Sequence, residues 1–181
     1  MDWTDTLMLE PTRHASFFEG IAIDGGSKID SIKAVSARVL AVQGVSLVHA
    51  AGRDSGELSA ALEILRGFRA TGRRVVLYNT SSLTPGRQDG RSLVEKGGAQ
   101  AVVSCGVHGR DLAIGARDAG LDLASVVVCR DVKAACEALV NQLGPGDTVL
   151  LWGVDQETCN RLVLWLDKHF SECSQNTHLA A

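Results

Sequence analysis

From residue 44 onward, short apolar runs alternate with stretches whose apolar residues recur at helical spacing. The runs Val45–His49, Arg74–Tyr78, Ala101–Cys105, Ser125–Cys129 and Thr148–Trp152 predict five strands. Several are continuous rather than alternating and rich in valine, the pattern of strands covered on both faces and paired in parallel. Between them, Leu58, Ala61, Leu62, Leu65 and Phe68 predict a helix over 57–70, with Asp54 and Glu57 as a capping box and Gly72 as its stop. Leu93 and Val94 place a second helix at 87–96; Leu112, Ala116 and Ala119 place a third at 108–119, closed by Gly120. A fourth starts at Asp131, uses Val132, Ala135, Cys136, Leu139, Val140 and Leu143, and breaks at Gly144-Pro145-Gly146. The last starts at Asp155 and carries Cys159, Leu162, Val163, Leu166 and Phe170 on one side.

Strand and helix repeated in this way, with short connections, predict right-handed crossovers and an α/β fold: a three-layer, mostly parallel open sheet of Rossmann-like type. Residues 37–49 alternate around Gly44, which adds an antiparallel edge hairpin. Residues 1–36 are less periodic, with a short strand expected at Gly20 to Ile23 and a turn at Asp24-Gly25-Gly26-Ser27; they read as a leader or the remnant of a preceding domain. Residues 37–170 form the α/β domain and 171–181 a polar, frayed tail.

Composition sharpens this in one direction, by exclusion. A chain of 181 residues with 45% hydrophobic residues is expected to bury roughly 70% of its unfolded surface without staples. Its 18 basic and 21 acidic residues leave a net charge of −3, spread along the chain. No basic footprint for nucleic acid or anionic lipid results. No apolar run reaches the ~20 residues of a membrane span, and the start, Met1-Asp2-Trp3-Thr4-Asp5, is acidic where a signal peptide is basic. A cytoplasmic protein is expected, with small molecules or proteins as partners. The five cysteines include no Cys-x-x-Cys pair, so buried, inert thiols are expected and no metal site. Cys105-x-x-His108 lacks the second pair that zinc needs.

In an open α/β sheet the loops after the strands hold the ligand. Here those loops supply Arg53 and Asp54, Asn79 and Thr80, His108 and Arg110, and Asp155, the candidate ligand-binding residues. Asp54, Asp131 and Asp155 serve equally as helix N-caps. Gly25-Gly26-Ser27-Lys28 lacks the spacing of a phosphate loop, and no Gly-x-Gly-x-x-Gly follows a strand. Ser104-Cys105-Gly106 with His108 is the nearest approach to a nucleophile elbow, though a buried cysteine and a helix-start histidine explain the same letters. Catalytic residues are not identified.

The order of the pieces carries a resemblance. Arg38 precedes the hairpin; Ala60-Ala61-Leu62 follows the first loop; Gly72-Arg73-Arg74-Val75-Val76-Leu77 leads into the second. Ala101-Val102-Val103 with Gly106, Gly115-Ala116, and Asp131 with Ala134-Ala135 come next. Gly144-Pro145-Gly146-Asp147-Thr148-Val149-Leu150-Leu151 completes the series. Residues 37–170 resemble the C-terminal domain of the Mur ligases, the ATP-dependent amide-forming enzymes of peptidoglycan precursor synthesis, most closely the type that adds D-alanyl-D-alanine. The departures fall on the family's motifs. His49, Ala51, Gly52, Asp54 and Ser55 stand at its Asp, Tyr, two Asn and Pro; Thr80 and Leu83 stand at the Asp and Glu of its second loop. Trp152-Gly153-Val154-Asp155 occupies its Lys-Gly-Ser-Arg site, replacing cations by an indole and an acid.

The resemblance therefore implies a pseudoenzyme: a Mur-ligase-like module, linked to cell-wall precursor metabolism, that binds a ligand or protein without turning it over. No cofactor is expected in this chain, and ATP only if a partner domain supplies it. The alternative is the amino-acid-binding component of an ATP-dependent acid–amino acid ligase whose ATP-binding domain lies on another chain. A third reading is an unrelated α/β fold acting through Ser104, Cys105 and His108.

Overall fold

The computed structural model describes residues 35–68, 70–81 and 86–178, with side chains as far as 172. The strand and turn expected within residues 1–34, and Leu83, lie outside the described residues. β1 (Ser36–Val42) and β2 (Val45–Ala51) pair antiparallel. Gln43 and Gly44 join them with φ of 49° and 80°, the paired left-handed turn whose twist matches that of the strands it links. From β2 the chain alternates α1 (Ser55–Gly67), β3 (Arg74–Asn79), α2 (Arg87–Glu95), β4 (Ala101–Cys105), α3 (Gly109–Asp118), β5 (Val126–Cys129), α4 (Val132–Val140), β6 (Thr148–Trp152) and α5 (Gln156–His178). The sheet order is β1-β2-β6-β3-β4-β5, parallel throughout except for the hairpin.

The continuous apolar strands are explained by two cores. Leu47, Val75, Leu77, Val103, Val149 and Leu151 pack on one face with Ala135, Cys136 and Leu139 of α4 and Cys159, Leu162 and Leu166 of α5. Their neighbours along the strands, Val48, Val76, Val102 and Leu150, pack on the other face with α1, α2 and α3 through Leu58, Leu62, Leu93 and Leu112. Every residue of β4 and β6 is buried. A strand so placed has no solvent face on which polar residues would alternate. Among the described residues, no helix is long and apolar enough to cross a membrane.

Several element ends differ from expectation. α1 stops at Gly67 with Phe68 as its cap, short of Gly72. Gly72 answers a different demand: a Cβ there would stand 2.5 Å from Asp147 Oδ1 and 2.8 Å from the Gly146 backbone. β5 begins one residue late because Asp122 caps a short 3-10 turn, Leu123–Ser125. α5 runs on to His178, beyond Ser171 where a frayed tail was expected.

The Gly144–Asp147 turn is a structural tie. Asp147 is 4% exposed and accepts from the Arg73 backbone N–H at 2.7 Å, Gly144 N–H at 3.0 Å and the Arg73 guanidinium at 2.9 Å. Burial alone would raise its carboxyl; these donors outweigh it and hold the group below the usual carboxylate range. A depressed native pKa contributes stability that is present above the unfolded value of about 3.9 and lost as pH falls through the native one. Asp147→Asn is therefore expected to cost about 2 kcal/mol near neutrality and to flatten the acid limb of a stability-against-pH curve measured by urea unfolding. An unchanged acid limb would show that the carboxylate is not what fastens this turn.

Candidate functional site

The chain leaves β2 and β3 towards α1 and α2 on one face, whereas β6, between them, leads to α5 on the other. The crevices beside the carboxyl end of β6 are thus topological switch points, where open α/β sheets bind ligands. All seven predicted residues lie on this edge, Asn79 as the last residue of β3 and the other six after strand ends.

Three of them, Asn79, Thr80 and His108, are bonded across to neighbouring loops or strand ends, and two, Asp54 and Asp155, to the starts of their own helices. Asn79 donates through Nδ2 to Gly153 O at 3.0 Å, while its Oδ1 accepts from the Ser81 backbone N–H and hydroxyl. Thr80 is fully buried; its hydroxyl donates to Cys105 O at 2.8 Å and accepts from His108 N–H at 3.1 Å. Gly106, at φ 89°, permits this, since a Cβ there would meet Thr80 Oγ1 at 2.6 Å. Asp54 caps α1, accepting from Gly56 and Glu57 N–H, and the Glu57 carboxylate closes the box on Arg53 and Asp54 N–H. Asp155 caps α5: the Thr158 N–H, at 2.7 Å, and the Thr158 hydroxyl hold its carboxyl below the usual range. Arg53 and Arg110 are exposed.

Two groups were not expected as site elements. His49 is 6% exposed, and its Nε2 lies 2.8 Å from Val154 O. A carbonyl can only accept, so this nitrogen carries the proton. Trp152, 1% exposed, fills the crevice beneath the first loop: a Cβ on Gly52 would lie 2.1 Å from its Cη2. Tyr78 packs against it, ring centroids 6.4 Å apart, and Trp152 Nε1 is buried without a hydrogen-bond partner among the described residues. Burial, and then the nearby Asp89, push the Tyr78 hydroxyl up; burial likewise raises Asp89. The sequence signal for this plug was an aromatic ending an aliphatic strand beside a strand followed by Gly52.

The elbow reading fails on burial. Cys105 is fully buried, its thiol pushed up to about 12 chiefly by desolvation, and its Sγ faces Tyr78 O and Asn79 Oδ1. Burial also takes Cys136 and Cys159 up to about 11. Such thiols hold almost no thiolate at neutral pH. His108 instead stands at the N-cap of α3, and Ser104 donates to Gly109 O. Among the described residues, no three His, Cys, Asp or Glu side chains are grouped as a metal site requires. A groove of about 410 Å³ between α4 and α5, lined by Val140, Trp165, Lys168 and His169 among others, includes none of the predicted residues. It lies by the last turn of α4, towards the opposite edge of the sheet.

No family model matches the chain, and no curated protein matches it. Solved structures do. A domain from a protein described as a UDP-N-acetylmuramate:L-alanyl-gamma-D-glutamyl-diaminopimelate ligase of Haemophilus ducreyi superposes with a TM-score of 0.53 at 16% identity, over 69% of this chain and 94% of that one. A UDP-N-acetylmuramoyl-L-alanyl-D-glutamate–2,6-diaminopimelate ligase matches at TM-score 0.47 and 14% identity, over 65% of this chain and 25% of its own. The MurF ligase of Thermotoga maritima in complex with ADP matches at 0.44 and 15%, over 74% and 30%. The chain thus spans less than a third of the length of these last two. At such identities the likeness is one of fold: a mostly parallel six-stranded α/β sheet like that of a Mur ligase domain, as the sequence resemblance implies.

Proposed function

We propose that this domain is a non-catalytic module of Mur-ligase type, cytoplasmic and related to cell-wall precursor metabolism, which binds a small ligand or a protein partner at the carboxyl edge of its sheet. The observation that carries this reading is how the rim spends its polar groups. Asn79, Thr80, His49, Asp54 and Asp155 are engaged by neighbouring loops and helix ends. The indole of Trp152 fills the switch-point crevice, at the sequence position where the family that the chain resembles has a lysine. Transfer chemistry on an acyl phosphate needs cations directed at developing charge, whereas an indole and an acid, Trp152 and Asp155, stand here at the ends of the stretch that resembles the family's Lys-Gly-Ser-Arg motif. Arg53 and Arg110 project outward and are the contacts assigned to the ligand, with Asp54, Asn79, Thr80, His108 and Asp155 shaping the surface beneath them.

A thermal-shift panel of nucleotides, UDP-sugars, amino acids and dipeptides tests this reading. A ligand that raises Tm in the parent, and loses that effect in Arg53→Ala or Arg110→Ala, is the expected result. Sustained ATP hydrolysis by the purified chain would overturn it. The likeness to a ligase domain supports a second reading, the amino-acid-binding component of a two-chain acid–amino acid ligase. That reading requires amide formation once a separate ATP-binding chain is added.

A further inference from the structure

β5 closes one edge of the sheet, and among the described residues only β4 pairs with it. Edge strands are normally blunted by lysine, proline, a bulge or a covering element. β5, Val126-Val127-Val128-Cys129, is short at four residues, itself one such device, but it carries no lysine, proline or bulge. Four large apolar residues stand well exposed among the described ones, and three of them lie on this pair of strands or their ends: Leu123 (63%) before β5, Val128 (50%) in it, and Val107 (83%) past the carboxyl end of neighbouring β4. The Val127 carbonyl lies 3.4 Å from the Ser104 hydroxyl of β4 and so faces inward. Strand alternation then turns the N–H and C=O of Val126 and Val128 outward.

We propose that this edge pairs with the same edge of a second copy of this chain, as antiparallel β5 strands joining two sheets across a two-fold axis. Self-complementarity selects that occupant. With Val127 on the axis, Val126 of one copy exchanges hydrogen bonds with the partner's Val128, which satisfies the outward groups of both. The same register gathers the four even-numbered valines on one face and covers the exposed Val128. Charge agrees with it. Asp122 precedes the strand and Arg130 follows it; both residues are exposed, and Arg130 Nε binds its own neighbour Asp131 at 2.8 Å, leaving its remaining guanidinium donors for a partner. Antiparallel pairing brings each arginine beside the partner's Asp122 turn, whereas parallel pairing would set like charges side by side.

Sedimentation velocity on the full chain, from low micromolar to several hundred micromolar, tests the pairing. A concentration-dependent dimer is expected, with its dissociation constant raised about tenfold or more by Val128→Lys, which charges an already half-exposed site. Asp122→Arg and Arg130→Asp should each weaken the dimer, and the two together should restore it. Loss of the 3-10 cap by Asp122→Arg cannot account for such a rescue. A chain that stays monomeric throughout, or whose dimer is indifferent to Val128→Lys and to the charge exchange, would overturn the proposal.

Discussion

Alanine at Gly90 or at Gly115 is expected to destabilise the protein by about 3 kcal/mol, although alanine is the better helix former by about 1 kcal/mol. The two glycines are the reciprocal contacts by which α2 and α3 cross. A Cβ on Gly90 would stand 2.0 Å from Leu112 O and 2.8 Å from Ala116 N, and one on Gly115 would stand 1.9 Å from Arg87 O. Each obstacle is backbone of the other helix, so no side-chain rotation relieves the clash; the helices must separate. Separation would also shift Asp89 against Tyr78 and carry His108 and Arg110, at the start of α3, away from the rim. Gly67→Ala is the control: nothing lies within 4 Å of a Cβ at that helical position, so it should be stabilised by up to about 1 kcal/mol. Urea unfolding of the three variants reads the contrast. If Gly90→Ala were as harmless as Gly67→Ala, the close crossing of α2 and α3 would be wrong.

The strands were legible because their chemistry is local. Ala101–Cys105 and Thr148–Trp152 are each apolar from end to end, and burial on both faces permits nothing else. Caps were legible for the same reason, as at Asp54 with Glu57 and at Asp131, which accepts from Ala134 N–H. Legibility failed where the cause lies far along the chain. Gly72 looked like a helix stop, yet it is small because Asp147 passes over it; nothing near Gly90 announces Leu112. Topology alone placed the candidate residues at the carboxyl edge of the sheet. Their inward engagement was not visible, because Asn79 meets Gly153 and Thr80 meets Cys105 only after the sheet has assembled. A loop that looks available in sequence can have its polar atoms already satisfied in three dimensions.

Trp152 decides whether the crevice beside β6 is closed by packing, and Trp152→Ala is expected to cost about 4 kcal/mol. The indole is 1% exposed, packed against Tyr78 and pressed on Gly52. Trp152→Phe should cost much less, since it keeps a ring in place and deletes Nε1, a buried donor with no partner among the described residues. Leaving such a donor unsatisfied costs about 1–3 kcal/mol, which offsets part of the lost volume. Gly52 completes a cycle. Gly52→Ala alone should destabilise, because its Cβ would lie 2.1 Å from Trp152 Cη2 and 2.7 Å from Cζ3. In the Trp152→Ala background the same change enters vacated space, and its penalty should vanish. A coupling of at least about 1 kcal/mol between the two positions is therefore expected. Additive effects would mean that Gly52 is small for the sake of its own backbone rather than to admit the Trp152 indole.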